Sequence, residues 1–214
     1  MLAAITSLAP PRVAGLAEFQ RRRKQGSRDR LLTAATAAFC AAGYFAVSVE
    51  DIASAAGVSR MTFYRHFSSK SAIAGELFRL NAAEALPRIL AVGDRSFRDV
   101  TTVEQWIDGL FAADRASQRL LRVFIQANVD AMDFTETGHS FIADIIEGLG
   151  KSIPAFELDS QKPQQRRRWL EAWLLIYEIL DQGNHAARES GVATDPLVIR
   201  ILAERFHAFV TREA

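Results

Sequence analysis

Five side chains suited to nucleic-acid contact lie close together in one short stretch of the sequence: Arg60, Met61, Thr62, Tyr64 and His66. The set includes a cation, two hydroxyls and an imidazole, groups that contact base edges and phosphate oxygens in protein–DNA complexes. Phe63 and Phe67 lie among them one helical turn apart, so on a helix both rings point to one side. The stretch therefore predicts a short helix with a buried apolar side and an outer side suited to DNA.

A further cation, Lys70, follows Ser69, which is a candidate N-cap of the next helix. A lysine in a first helical turn lies at the positive end of the helix dipole, which costs a few tenths of a kcal/mol. A phosphate bound at that helix end would make the same lysine favourable. The expected roles are base readout for Arg60, Met61 and Thr62, and phosphate binding for Tyr64, His66 and Lys70.

A second short helix is predicted just before this one. Ser48 followed by Asp51 has the spacing of a capping box, and apolar residues recur at helical spacing up to Ala56. Gly57 then permits a tight turn, and Ser59 caps the next helix. Two short helices joined by a glycine turn, the second with a free outer face, form a helix-turn-helix. Ser48 is also expected to contact DNA.

These residues carry a resemblance to a known family. The motif G-V-S-x-x-T-x-Y-x-H-F-x-x-K, from Gly57 to Lys70, resembles the signature of the TetR (tetracycline-repressor-like) family. The upstream residues Ala41–Tyr44 and Ser48–Ala53 fit as well, and the resemblance covers residues 28–80. It implies an all-α regulator that binds a pseudo-palindromic double-stranded DNA operator as a homodimer. It also implies a repressor that a small apolar or amphipathic effector releases from its operator.

The expected organisation has three parts. Residues 1–24 are predicted to be a disordered tail that ends in the basic run 21–24, residues 25–72 a three-helix DNA-binding domain, and residues 73–214 a larger helical domain for ligand binding and dimerisation. The basic run either reaches into a DNA minor groove or is a solvated stretch of charge. The first helix is expected at 28–42, and a long helix at about 69–92 that Pro87 ends or kinks.

The remaining sequence shows apolar residues at helical spacing in segments starting near Thr101 or Thr102, Ser117, residue 136, Pro163 and Asp195. A cavity is expected among these helices because the resemblance implies an effector. Asn128 lies on the apolar stripe of its helix, so its amide needs a partner, which is a backbone group, a water or a ligand. The candidate lining residues are Trp106, Phe111, Phe124, Asn128, Trp173 and Tyr177.

The two segments at about 163–189 and 195–212 have more apolar surface than one small domain can cover. Pairing them across a two-fold axis would form a four-helix bundle and bury the second face of each helix. Leu174 and Phe206 are expected in this interface.

Composition supports a protein of the cytoplasm that meets a polyanion at one end. Residues 1–70 have ten Lys/Arg against four Asp/Glu, whereas the remainder has sixteen against twenty-one, within a net charge of +1 over 214 residues. A single cysteine, Cys40, allows no intrachain disulfide. No apolar run has the length of a membrane span, so no membrane partner is expected.

Two other classes of function compete with this interpretation. An enzyme is disfavoured because the sequence lacks H-E-x-x-H, C-x-x-C, G-x-S-x-G and a glycine-rich phosphate loop. Asp130 with Asp133, or Asp181 with His185, would be acid–base or metal pairs only by chance spacing, so no metal or cofactor is expected. The other class is a helix-turn-helix regulator without an effector that acts through protein partners, and an enclosed cavity would argue against it.

Overall fold

Helices dominate the structure, a computed structural model that describes residues 12–94, 97–130 and 133–212, without the side chains of 12–24 and 133–136. Within these ranges the chain has nine α-helices and no strand, which confirms the predicted all-α fold. The helices are α1 (Arg12–Ala42), α2 (Val49–Ala55), α3 (Arg60–His66), α4 (Lys70–Leu90), α5 (Val100–Ala116), α6 (Gln118–Asp130), α7 (Asp133–Gly150), α8 (Pro163–Ala187) and α9 (Pro196–Thr211). Short 3-10 turns lie at Ala91–Asp94, Pro154–Phe156 and Gly191–Thr194.

The predicted helix-turn-helix is formed by α2 and α3, and its caps follow the sequence. The Ser48 hydroxyl accepts the Asp51 N–H at 3.1 Å, and the Asp51 carboxylate accepts the Ser48 N–H at 2.9 Å. These two bonds satisfy backbone donors at the start of α2 that have no partner inside the helix. Gly57 has φ +63°, the left-handed conformation that a side chain disfavours, and it turns the chain into α3.

The N-terminal core forms where α1 packs against α2, α3 and α4. Leu31, Ile52, Phe63 and Ile73 are fully buried there, one from each of these four helices. Helix α6 also contributes buried side chains to this core, namely Val123, Phe124 and Ala127. Packing across the predicted boundary at residue 72 therefore joins the helix-turn-helix to the rest of the chain.

The second core lies between α5, α8 and α9, with α7 beside it. Phe206 of α9 is fully buried here, with its ring centroid 5.2 Å from that of Trp106 and 5.7 Å from that of Phe156. The prediction that Phe206 lies in a dimer interface is therefore wrong. Its helix is apolar on a broad face, and periodicity alone does not separate the inward part of that face from the outward part.

Three helix boundaries differ from the predicted ones. Helix α1 begins at Arg12, so the backbone of 12–24 is helical where a disordered tail was expected; Ala, Leu, Gln and Arg in that segment all favour helix. Helix α4 continues through Pro87 to Leu90. Helix α5 is capped by Asp99, because the Asp99 carboxylate accepts the Thr102 N–H at 2.9 Å.

Some predictions fall outside the described residues. Residues 1–11 and the side chains of the basic run 21–24 are among them, so its contact with a minor groove stays a prediction. Among the residues that are described, no helix combines the length and the apolarity needed to cross a membrane.

Candidate nucleic-acid interface and ligand cavity

The outer face of α3 is open to solvent, as its sequence predicted. Met61 is 82% exposed and Tyr64 is 45% exposed, whereas Phe63 between them is fully buried. Ser59 caps the helix by accepting the Thr62 N–H at 3.2 Å, so the first turn is held in register. Phe63 and the Ser59 cap therefore fix α3 on the N-terminal core, and the side chains of its outer face remain accessible to a partner.

Arg60 is positioned by two neighbours in the free protein. Its guanidinium makes an ion pair of 2.6 Å with Glu50 of α2 and lies 5.5 Å from the ring centroid of Tyr64. The hydrogen bond to Tyr64 and the nearby Glu50 raise the pKa of the Arg60 guanidinium, so its charge is permanent. Because both members of the ion pair are exposed, the pair orients Arg60 more than it stabilises the fold.

Lys70 has a partner inside the protein that the sequence did not reveal. Its ammonium donates to the backbone carbonyl of Tyr44 at 2.9 Å and lies 4.3 Å from the centroid of the Tyr44 ring. This contact ties the first turn of α4 to the turn after α1. The ammonium has three donors and this bond uses one, so a phosphate contact is compatible with the geometry.

The other predicted DNA-contacting residues lie around this face. Ser48 is exposed at the start of α2, with its hydroxyl 2.6 Å from the Asp51 carboxylate. This hydrogen bond lowers the pKa of Asp51. Thr62 is half-buried, with its hydroxyl 3.1 Å from that of Ser59. His66 ends α3 in a half-buried position, and its Nε2 atom is enclosed by protein.

Tyr44 connects this surface to α6. Its hydroxyl donates to the Asp130 carboxylate at 2.6 Å, and its backbone N–H donates to the Gln126 side chain at 2.8 Å. Burial and the hydrogen bond to Asp130 both raise the pKa of the Tyr44 phenol. Lys70, Gln126 and Asp130 therefore converge on one buried residue, and we call Tyr44 with these three partners the Tyr44 cluster.

A cavity of about 350 Å³ lies among α4, α5, α6, α7 and α8. Its volume is near the lower end of the range for small-molecule sites. Helix α6 contributes Leu121, Phe124, Ile125 and Asn128 to its wall. The same helix therefore contacts the cavity on one side and the N-terminal core on the other.

The structure brings four of the six predicted lining residues together. Phe111, Phe124, Asn128 and Tyr177 contact the cavity, although Asn128 is exposed and not buried as its apolar stripe suggested. Trp106 is instead buried in the second core, where its indole N–H donates to the Arg88 carbonyl at 3.3 Å. Trp173 lies behind the wall and stacks on Tyr177, with ring centroids 5.3 Å apart.

Asp114 is a lining residue that sequence reasoning missed. It lies in the last turn of α5, and no residue that the structure describes donates a hydrogen bond to its carboxylate. Burial raises the pKa of Asp114 to about 6, and the fields of Arg88 and Arg115 only partly oppose this rise. A lone aspartate in an amphipathic helix carries no sequence signal, because only packing decides whether it faces water or a cavity.

The acid–base pairs considered from the sequence have ordinary partners. Asp181 lies 3.7 Å from His185 one helical turn along α8. Asp130 accepts the Tyr44 hydroxyl, and the side chain of Asp133 is outside the described residues. Asp130 is thus bound to Tyr44, and Asp181 lies beside His185 as its sequence spacing predicted.

Exposed apolar side chains form a stripe on α8 and α9. Leu170, Leu174 and Tyr177 recur at helical spacing on α8, and Leu197 and Ile201 do so on α9. Leu174 is 60% exposed in the single chain. We call these five residues the α8–α9 stripe. Exposed apolar side chains grouped in this way are candidates for an interaction site.

The fold and the exposed face of α3 define a helix-turn-helix DNA-binding protein with a helical second domain. The sequence family described as bacterial regulatory proteins, tetR family, matches residues 31–77. These residues span the end of α1, all of α2 and α3, and the start of α4. No curated protein sequence matches the chain.

Solved structures of low sequence identity share the whole fold. The chain is similar to a putative TetR-family transcriptional regulator of Mesorhizobium loti, with 21% identity, TM-score 0.57 and coverage of 87% of this chain and 96% of the other. Salmonella enterica GusR is 18% identical, with a TM-score of 0.59 and coverage of 87% of this chain and 96% of that chain. Thermus thermophilus FadR, a repressor solved in complex with lauroyl-CoA, is 24% identical, with a TM-score of 0.50 and coverage of 87% of this chain and 97% of that chain.

These findings confirm the resemblance predicted from the sequence. The helix-turn-helix segment matches the tetR family model, and the fold of the chain resembles that of solved TetR-family transcriptional regulators. The matching family consists of bacterial regulatory proteins, and the similar structures include transcriptional regulators.

The raised pKa of Asp114 predicts a pH-dependent stability. Because the folded pKa of about 6 exceeds the ordinary value of 3.8, the folded state holds this proton more tightly than the unfolded state. The ionised carboxylate therefore destabilises the fold fully above pH 6, and the cost disappears as pH falls towards 4. Asp114→Asn should be more stable than the wild type at pH 7.5 by on the order of 2 kcal/mol.

Thermal unfolding of both proteins between pH 5 and 8 measures this effect. The difference in Tm should shrink as pH falls, while Asp108→Asn, an exposed carboxylate on the same helix, should show no such trend. Equal pH profiles for Asp114→Asn and the wild type would contradict the assignment.

Proposed function

We propose that the protein is a homodimeric transcriptional repressor that leaves its operator when a small apolar or amphipathic effector enters the cavity. The observation that carries this proposal is the position of α6, which contributes side chains both to the cavity wall and to the N-terminal core. A ligand against α6 therefore acts on the helix that supports the DNA-binding domain. The relative from Thermus thermophilus, solved with lauroyl-CoA, supports an effector of this general kind.

In this proposal the outer face of α3 enters the major groove. Arg60, Met61 and Thr62 lie in its first turn and read base edges. Ser48, Tyr64, His66 and Lys70 surround them and bind phosphates, which fixes the register of the helix on the duplex. Residues 25–72 then act as the DNA-binding domain and residues 73–214 as the effector-binding and dimerisation domain.

Release requires that the effector favour the conformation that binds DNA less well. A ligand that displaces α6 would move Gln126 and Asp130, which hold Tyr44. Tyr44 is in turn bound to Lys70, the first residue of α4, which follows His66 at the end of α3 by four positions. The Tyr44 cluster is therefore the proposed link between cavity and DNA.

Dimerisation would bury the α8–α9 stripe across a two-fold axis in a four-helix bundle. Covering the stripe removes apolar surface from water, which is the main source of free energy in such interfaces. The same axis would set two α3 helices about 34–36 Å apart, one turn of DNA, or further apart on a longer operator.

The proposed DNA contacts can be separated by their salt dependence, using duplexes selected in vitro from random sequences. Lys70→Gln should weaken binding to all sequences and reduce the slope of log K against log salt by about 0.9, the value for one phosphate. Arg60→Ala should weaken operator binding by about 1–3 kcal/mol and relax the preference at particular base pairs.

Glu50→Gln is the matched control for Arg60, because it releases the Arg60 guanidinium and removes a negative charge from the DNA-facing surface. This variant should bind the duplex more tightly than the wild type. An unchanged slope for Lys70→Gln would leave Lys70 with its structural role only.

The dimer can be tested by placing a charge in the α8–α9 stripe. Leu174→Glu would put an unpaired carboxylate in an apolar contact, at a cost of several kcal/mol, roughly 3–5. Sedimentation at micromolar concentration should then show monomers, and operator affinity should fall because two linked half-site contacts become one. Leu80→Glu, an exposed leucine on α4 outside the stripe, should remain dimeric. A dimeric Leu174→Glu variant would place the interface elsewhere.

The link through the Tyr44 cluster can be tested with decanol as an uncharged apolar probe. Decanol should raise the Tm of the wild type and weaken its binding to the selected duplex, and DNA should weaken decanol binding by the same factor. Tyr44→Phe keeps the ring and removes the hydrogen bond to Asp130, so it should bind decanol normally while releasing DNA less. Decanol that occupies the cavity and leaves DNA affinity unchanged would refute effector release by this route.

A further inference from the structure

The cavity wall is apolar over most of its extent, but one carboxylate on it receives no hydrogen bond from the part of the protein that the structure describes. Its apolar lining includes Phe78, Phe111, Phe124, Phe141 and Ile142. Asp114 is half-buried among them, without a hydrogen bond from any residue that the structure describes. Buried carboxylates normally have donors, because an unpaired one costs free energy. The oxygens of Asp114, half-buried and without a protein donor, are therefore available to a molecule in the cavity.

The position of Asp114 on its helix adds to this cost. The residue lies in the last turn of α5, where backbone carbonyls give the helix end a partial negative charge. A carboxylate is disfavoured at that end, whereas a cation bound there is favoured by both the carboxylate and the helix dipole. The local field at this point of the wall is therefore negative.

The facing helix leaves room for the carboxylate. Gly183 of α8 packs so closely that a Cβ built on it would lie 2.5 Å from Asp114 Oδ2 and 3.3 Å from the ring of Phe111. A side chain at this position would push the carboxylate away from its present place. The packing of α8 thus fits an aspartate that faces the cavity at this point.

The other charges on the wall do not neutralise Asp114. Arg88 of α4 is exposed and makes no ion pair with it among the described residues, and Arg115 pairs with Asp108 at 3.8 Å. Asp181 of α8 lines the same cavity and adds a second carboxylate, so the wall has two negative groups against the one positive group of Arg88. Counting Arg88, Asp114 and Asp181, the formal charges on the wall favour a cation over an anion.

We infer that the cavity selects lipophilic cations, that is, ligands with an apolar alkyl or aromatic body and one protonated or quaternary amine placed against Asp114. The apolar body would lie against Phe78, Phe124 and Phe141, and the ring of Phe111, which lies beside Asp114 where Gly183 packs, would add cation–π attraction near the charged end. The inference specifies the effector of the proposed function and rests on it only for the consequence on DNA. A carboxylate ligand such as a fatty acid is the opposite case, because it would be repelled by Asp114.

Three probes of the same chain length test the charge of the head group: decylamine, decanol and decanoate, titrated into the full chain without DNA at pH 7.5 by calorimetry. Decylamine should bind with one molecule per subunit, at least about tenfold more tightly than decanol, with decanoate the weakest. Asp114→Asn should lose about tenfold for decylamine and leave decanol within about twofold, since only the charge is removed. Asp108→Asn removes an exposed carboxylate from the same helix and should change neither.

The outcomes separate the ligand class from the proposed function. Decanoate binding more tightly than decylamine, with Arg88→Gln weakening it, would overturn the cationic class and leave effector release intact. Equal decylamine affinity for Asp114→Asn and the wild type would also overturn it. Decylamine that binds through Asp114 but does not weaken binding to the selected duplex would support the cationic class and refute release instead. A fall in Tm with decylamine, without saturable binding, would mean that it acts only as a detergent and would overturn the inference.

Discussion

The burial of Tyr44 is the constraint on which the arrangement of the two parts of the molecule depends. A tyrosine that is fully buried must find partners for its hydroxyl and backbone groups, because unpaired polar groups away from water are costly. Its partners come from two helices that are distant in the chain: Lys70 from α4, and Gln126 and Asp130 from α6. The end of α1, the start of α4 and the end of α6 are therefore held at fixed positions relative to one another.

Helix α6 owes its importance to this arrangement. A helix that packed on one core alone could shift without consequence for the other. Here Val123 and Ala127 pack in the N-terminal core, Ile125 faces the cavity, and Phe124 belongs to both. The ring of Phe124 meets that of Phe78 at 5.3 Å, edge to face, so α4 and α6 are also coupled by aromatic packing. Tightly packed interiors transmit small displacements, since they have few voids that could absorb them.

Two features of the isolated chain are unfavourable by themselves. The α8–α9 stripe leaves large apolar side chains in water, and Asp114 places a carboxylate where neither hydrogen bonds nor the helix dipole support it. A chain optimised only for stability would have polar residues in place of the α8–α9 stripe and a neutral residue in place of Asp114. Natural proteins deviate from such local rules mainly at functional sites, and for this reason we place the proposed dimer contact at the first feature and the proposed ligand contact at the second.

The sequence by itself determined the all-α fold and the helix-turn-helix from Ser48 to Lys70, because caps, turn glycines and apolar spacing act within a few residues of one another. The tertiary structure decided what those residues contact. Lys70 has the spacing of a phosphate ligand, yet its partner is a carbonyl 26 positions away, and Tyr44 bonds to residues 82 and 86 positions away. Packing likewise buried Phe206 and Trp106, left Leu174 outside, and turned Asp114 into the cavity. A helical stripe gives the direction of each side chain around its own axis, and only the other helices determine whether that direction leads to a core, a cavity or water.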